Sequence, residues 1–178
     1  RDLINAFKKE GDEVRFKESV VYYDCKWSNY YPSDNYPFMY KCRSANSSII
    51  KYRYADVLLL KAEALIMQDT PDLDGAADII DEVRERAKLG ALSASTRASK
   101  EAMLNALLKE RRLELAFEGQ RWFDLVRLDK VEEVMNAVYA KDSGRKAQVY
   151  AFDKTSYRLP IPQSVIDAND KIHQNPGY

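Results

Sequence analysis

Histidine and cysteine, on which many metal and catalytic sites depend, are scarce in this sequence. The chain of 178 residues contains one His and two Cys. His173 has no Cys or second His near it in the sequence, so a metal site or a catalytic triad lacks its partners. Cys25 and Cys42 fit neither a zinc spacing nor a redox pair, and a disulfide between them is left open. We therefore expect no metal and no cofactor.

Net charge, glycine-rich motifs and long apolar runs are missing as well. The six Gly do not form a phosphate-binding loop. The 28 basic and 28 acidic residues cancel, which argues against nucleic acid as a partner. The sequence has no run of about 18 apolar residues, and residues 1–20 do not resemble a signal peptide. With 46% hydrophobic residues, the composition is instead that of a globular domain with a core.

The two ends of the chain have irregular patterns. A short helix-like opening through Phe7 is followed by the apolar run Ser19–Tyr23 and then by turn formers mixed with aromatic residues. This pattern predicts extended segments and loops over residues 1–50. Two prolines predict extended backbone at Tyr157–Pro162. Residues 141–178 are expected to be a loop and a tail that packs on the helices.

Residues 51–140 have a helical period. Apolar residues recur at spacings of three and four over residues 52–67 and again between Asp72 and Gly90. Ser99 can cap a third helix, and two shorter helical segments follow around Trp122 and over residues 129–139. The predicted fold class is mainly α. It consists of tetratricopeptide-like helical hairpins in an α-α superhelix, an irregular aromatic-rich loop region and an extended C-terminal tail.

The segment ERRLELAFEGQRWFDLVR, Glu110–Arg127, mixes charges of both signs with large apolar residues. An arginine can hold a carboxylate with two hydrogen bonds while its stem packs on an aromatic ring. We therefore expect a structural salt-bridge network that joins two helices, formed by Arg111, Glu114, Glu118, Arg121 and Asp124. An alternative makes Glu114 and Glu118 the acid and base of a glycoside hydrolase, but nothing in the sequence implies a pocket that would shift a pKa.

Three segments resemble one protein family. Glu110–Arg127 is similar to the hallmark motif of the SusD-like (SusD/RagB) family, and RYADVLLLKAEAL, Arg53–Leu65, is similar to an earlier signature helix of that family. YRLPIPQSVIDANDKIHQNPGY, Tyr157–Tyr178, resembles its terminus. Members are longer and carry a lipoprotein signal with a lipidated cysteine. We therefore expect this chain to be part of a longer protein, associated with the membrane only through a lipid anchor that the chain does not contain.

The resemblance implies a function. SusD-like proteins are non-catalytic lipoproteins of the outer membrane, exposed at the cell surface, that bind oligosaccharides and deliver them to a SusC-like TonB-dependent transporter. Two alternatives stay open: a helical scaffold or peptide-binding member of the same family, and the glycoside hydrolase.

The aromatic residues near the start of the chain are compatible with binding of a glycan. Eight of the twenty aromatic residues fall between Tyr22 and Tyr40. Flat rings cover the apolar face of a sugar, and Asp34 and Asn35 can bond to hydroxyl groups between them. Several of these tyrosines could instead pack inward against the helices. The candidate ligand-binding residues are Trp27, Asn29, Tyr30, Tyr31 and Tyr36.

Overall fold

The computed structural model describes residues 2–27, 29, 34–41, 44, 49–141 and 152–178, which fall into two units, Arg1–Arg121 and Trp122–Tyr178. Its helices are α1 Asp2–Glu10, α2 Glu13–Ser19, α3 Tyr54–Met67, α4 Leu73–Arg86, α5 Ala94–Arg97, α6 Lys100–Glu114, α7 Arg121–Arg127, α8 Val131–Lys141 and α9 Gln163–Ala168, with a 3₁₀ helix at Lys154–Tyr157. The strands are β1 Val20–Tyr23 and β2 Tyr36–Met39. The predicted mainly helical fold is confirmed.

Three helices enclose the main core of the first unit. The apolar stripe of α3 packs on α4 and α6, so α3 and α4 form a helical hairpin covered by α6. The buried residues of this core are Leu59, Ala62, Ile66, Ala76, Ala77, Ile80, Val83, Met103 and Leu107. A second cluster joins α1 to the end of α6 through Phe7 and Leu113.

Ser99 caps α6 as the sequence predicts, and Asp72 caps α4 in the same way. The Asp72 carboxylate accepts from the Gly75 amide at 2.9 Å, and the Ser99 hydroxyl accepts from the Ala102 amide at 3.2 Å. A Cβ at position 75 would collide with the Asp72 carboxylate, so a larger residue there would displace the capping side chain.

The first fifty residues are more helical than their pattern indicates. Gly11, with φ +71°, ends α1, and Asp12 caps α2 by accepting from the Arg15 amide at 3.2 Å. The expected extended segments are the two antiparallel strands. Near the other end, Tyr157 belongs to the 3₁₀ helix, and extended backbone begins at Arg158. The short α5 was also not predicted.

Aromatic and amide contacts organise the second unit. The Trp122 ring packs edge-on against Phe152 and Tyr157, with centroids 5.9 and 6.3 Å apart. The Asn136 side chain bonds to both backbone polar groups of Phe152, and the Gln174 side chain does the same for Ile161. Amide side chains therefore hold the irregular segments in place.

Within the part of the chain that the structure describes, no helix combines the length and the apolar character needed to span a membrane.

Removal of a core side chain tests the arrangement of α3, α4 and α6. Leu107→Ala removes a fully buried side chain from the main core and is expected to lower the free energy of unfolding by about 2–5 kcal/mol. Leu159→Ala, at a side chain that is 83% exposed, is the matched control and should change it by less than ~0.5 kcal/mol. Urea unfolding followed by circular dichroism measures both, and equal losses would contradict the packing.

Candidate functional site

Strands β1 and β2 form an aromatic hairpin, residues 20–23 and 36–39. The strands are antiparallel, with Tyr22 opposite Pro37 and Tyr23 opposite Tyr36. Phe38 lies between two rings, 5.2 Å from Tyr36 and 6.0 Å from Tyr23 by ring centroids. β-branched and aromatic residues favour strands because their side chains pack across a pleated pair, which explains why these two segments pair as strands.

Helices α1 and α2 lie on one face of the aromatic hairpin. Tyr22 contacts Phe16 edge-on at 6.4 Å, and Phe16 in turn lies 5.9 Å from the buried Phe7. Val20 is buried at the start of β1. One face of the hairpin is therefore anchored, whereas Tyr23 and Met39 remain more than half exposed.

A cleft of about 450 Å³ lies between α1 and the aromatic hairpin. Asn35 adopts the left-handed conformation that asparagine tolerates, with φ +53°, and its backbone N–H donates to the Asp24 carboxylate at 2.9 Å. This bond fixes the turn that leads into β2 and leaves the side chains of Asp34 and Asn35 exposed. The cleft is lined by Ile4, Asn5, Tyr22, Asp34, Asn35, Tyr36 and Pro37.

The candidate ligand-binding residues are distributed unevenly around this cleft. Tyr36 lines it. Trp27 is 75% exposed and Asn29 is exposed, and neither belongs to the lining. Tyr30 and Tyr31 lie outside the described residues. Sequence reasoning missed Ile4 and Asn5, whose only signal was their position on a short amphipathic helix.

Glu110, Glu114 and Glu118 follow one another at intervals of four residues, so that they meet cations at one end of α6. Arg15 donates from Nη1 to Glu110 at 2.6 Å and to Glu114 at 3.0 Å. Arg53 donates to Glu114 at 2.6 Å and to both oxygens of Glu118 at 2.8 and 3.0 Å. All three glutamate side chains are at most 3% exposed. We call these carboxylates and their cations the ionic cluster.

Other elements supply the remaining cations. Arg84 of α4 reaches Glu110 at 3.3 Å and Glu10 at 2.9 Å, and Arg86 pairs with Glu114. Lys41, just after β2, lies 2.5 Å from Glu118. The ionic cluster therefore contacts α2, the end of β2, α3 and α4.

The pKa values of two of these carboxyl groups are low. Burial alone would raise the pKa of Glu114, but hydrogen bonds from Arg86 and Arg53 outweigh burial and lower it to about 2. Burial likewise opposes the shift at Glu118, where bonds from Arg53 and Lys41 lower the pKa. Both groups are ionised at neutral pH, so neither can serve as the protonated acid of a glycosidase.

The other residues predicted for the salt-bridge network also form ion pairs and hydrogen bonds. Arg111 is buried and pairs with Asp56 of α3 at 2.8 Å. Arg121 donates to the Leu108 carbonyl at 3.1 Å. In the second unit, Asp124 is buried and pairs with Arg127 at 2.9 Å.

The described residues contain no group of three His, Cys, Asp or Glu side chains that could hold a metal ion. The Cys25 thiol is buried and free, and lies 3.9 Å from the Tyr23 carbonyl. Cys42, the other member of the disulfide left open by the sequence, lies outside the described residues.

Comparison with known proteins identifies the family. The model of the SusD family matches residues 34–178. SusD-like protein P2 of Formosa agariphila is 33% identical over 142 residues, which cover 76% of this chain and 27% of that protein. SusD-like protein P38 of the same organism is 40% identical over 99 residues, which cover 52% of this chain and 19% of that protein. The chain therefore belongs to the SusD family, as the resemblance of its motifs indicated.

Solved structures share the fold. A SusD superfamily protein from Bacteroides vulgatus matches all of this chain and 44% of its own, with a TM-score of 0.76 and 25% identity. The surface glycan-binding protein A from Bacteroides uniformis matches 96% of this chain and 39% of its own, with a TM-score of 0.66 and 21% identity. The chain thus spans less than half the length of these proteins and about a quarter or less of the curated relatives.

Acid is expected to destabilise the chain through Glu114. The pKa of its carboxyl is about 2 in the folded chain, against an ordinary value of 4.5, so between these values the folded state binds fewer protons than the unfolded state. The contribution of Glu114 to the free energy of unfolding is fully present above about pH 5 and is lost as the pH falls toward 2. The loss is on the order of 3 kcal/mol. Urea unfolding across this range should show a smaller acid-induced loss in Glu114→Gln.

Two further glutamates, Glu110 and Glu13, serve as comparisons in this experiment. Burial raises the pKa of Glu110, so its contribution has the opposite sign and is not the source of the acid loss. Glu13→Gln is the control, because the Glu13 side chain is 78% exposed. An acid-induced loss in Glu114→Gln as large as that of the unaltered chain would contradict the assignment.

Proposed function

We propose that this chain is the part of a SusD-family protein that binds glycans at the cell surface without changing them chemically. The observation that supports this most directly is the cleft beside the aromatic hairpin. It combines the rings of Tyr22 and Tyr36 with the polar side chains of Asn5, Asp34 and Asn35. Rings can cover the apolar face of a sugar while amides and carboxylates bond to its hydroxyl groups.

The size and charge of the cleft favour uncharged oligosaccharides. Its volume of about 450 Å³ lies within the range of roughly 300–1,000 Å³ usual for small-ligand sites. Among the described residues that line it, Asp34 carries the only formal charge. A uronate or sulfate group would meet this carboxylate with no compensating cation among the described lining residues, so neutral sugars suit that part of the lining better.

Family membership extends the proposal beyond the chain itself. Members of this family act as surface lipoproteins, and we propose that the bound oligosaccharide is passed to a SusC-like TonB-dependent transporter in the outer membrane. The related protein from Bacteroides uniformis is described as a surface glycan-binding protein. The ionised state of Glu114 and Glu118 supports binding rather than hydrolysis.

Removal of one ring from the cleft tests the proposal. Tyr36→Ala should weaken binding of a neutral oligosaccharide about fivefold, since a ring contact contributes on the order of 1 kcal/mol. Tyr36→Phe separates the contribution of the ring from that of the hydroxyl group. Isothermal titration calorimetry against a panel of neutral and anionic oligosaccharides is the measurement.

The control is another tyrosine of the same unit. Tyr54 lies on α3, is 72% exposed and does not line the cleft, so Tyr54→Ala should leave the affinity unchanged. If no oligosaccharide binds the unaltered protein, glycan binding is wrong, and the scaffold or peptide-binding alternative takes its place.

Trp27 provides a second, independent test of where the ligand sits. Because its side chain does not line the cleft, Trp27→Ala should reduce the affinity less than Tyr36→Ala does. Calorimetry with the same oligosaccharide compares the two variants. A larger loss for Trp27→Ala would move the binding site from the cleft to the surface around Trp27.

A further inference from the structure

The aromatic hairpin continues directly into residues that reach the ionic cluster. Strand β1 follows α2 without a break, and α2 carries Arg15. Where β2 ends, beside the start of β1, the Tyr40 backbone amide donates to the Ser19 carbonyl at 2.8 Å, which closes the two strands. Lys41 is the next residue. The start of β1 and the end of β2 are therefore each close in sequence to a cation that pairs with a glutamate of the family motif.

Lys41 bonds to the end of α6 in two ways. Its ammonium group lies 2.5 Å from Glu118 and donates to the Glu114 backbone carbonyl at 2.6 Å. That carbonyl belongs to the last turn of α6, where carbonyls lack partners within the helix and a positive charge is favourable. The contact joins residues 73 apart in the sequence, so it is a tertiary link.

This link reaches the strand that lines the cleft. Strand β1 packs against α2 and against β2, whereas Lys41 connects the end of β2 to α6. Asp34, Asn35, Tyr36 and Pro37 line the cleft and lie four to seven residues before Lys41. A change in the position of Lys41 would be passed along β2 to these side chains.

We propose that Lys41 is a positioning residue, which holds β2 against the end of α6 through Glu118 and the Glu114 carbonyl and so sets the shape of the glycan cleft. The part of this proposal that concerns the ligand rests on the proposed function. The tether itself does not, because it is defined by contacts between protein groups.

Lys41 can be altered with less disturbance than Arg15, the other cation next to the hairpin. The Lys41 side chain is 24% exposed, against 10% for Arg15, so removing its charge disturbs the buried cluster less. Glu118 keeps both of its bonds to Arg53 when Lys41 is replaced. Lys41→Met keeps an unbranched side chain and removes the cation, and Lys41→Arg restores a cation.

The experiment measures hydrogen exchange and affinity on the same variants. In Lys41→Met, backbone amides of residues 20–23, 36, 38 and 39 should exchange about tenfold faster, while those of α3 and α4 stay unchanged. The affinity for the oligosaccharide selected by calorimetry should fall about tenfold. Lys41→Arg should restore both values. Lys17→Met, at a lysine that is 72% exposed, should alter neither.

Two results would overturn the proposal. Unchanged exchange in the hairpin of Lys41→Met would show that the tether does not hold β2. Faster exchange together with an unaltered affinity would show that the tether does not shape the site. If the unaltered protein binds no oligosaccharide, the proposed function fails by itself, and the exchange data still decide whether the tether exists.

Discussion

The guanidinium of Arg53 packs against two buried carboxylates at the end of α6, and the rest of the first unit depends on this contact. Arg53 precedes the first turn of α3 and bonds to both oxygens of Glu118, to the Glu114 carboxylate and to the Glu114 carbonyl. Such a planar fork fixes the orientation as well as the distance between two elements. It determines where α3 begins relative to the end of α6.

The buried carboxylates of Glu110 and Glu114 in α6 and of Glu118 just after it impose a general constraint. A buried charge is costly unless it is paired, so three glutamates at intervals of four residues require several cations around them. These come from α2, the end of β2, α3 and α4. The motif that identifies the family is thus a structural centre, and the proposed ligand site lies on the hairpin that this centre holds in place.

Local patterns and distant contacts differ in how far the sequence reveals them. The helices α3, α4 and α6 follow from apolar periodicity, and the caps at Asp72 and Ser99 follow from local hydrogen bonding. The partners of Glu114 cannot be predicted from local patterns, because Arg15 and Arg53 are 99 and 61 residues away from it in the sequence. The charges in the motif indicate that ion pairs form, but the spacing of residues in the sequence does not indicate which distant arginine pairs with Glu114.

The residues of the candidate site could likewise be predicted only in part from the sequence. The density of aromatic residues indicates the region, and Tyr36 lies in the cleft. The opposite wall comes from Ile4 and Asn5 of α1, residues with no chemical signature of their own. Trp27 was the more conspicuous residue, yet its side chain lies outside the cleft. The topology of the chain determines which side chains line the cleft, and the topology cannot be predicted from the amino-acid composition.

A double-mutant cycle between Arg53 and Glu118 tests the central role of the ionic cluster most directly. Arg53→Met, Glu118→Gln and the double variant are compared with the unaltered chain in the free energy of unfolding. Because the pair is bidentate and largely buried, the coupling should be at least about 1 kcal/mol. Additive effects, with a coupling below ~0.3 kcal/mol, would contradict the account.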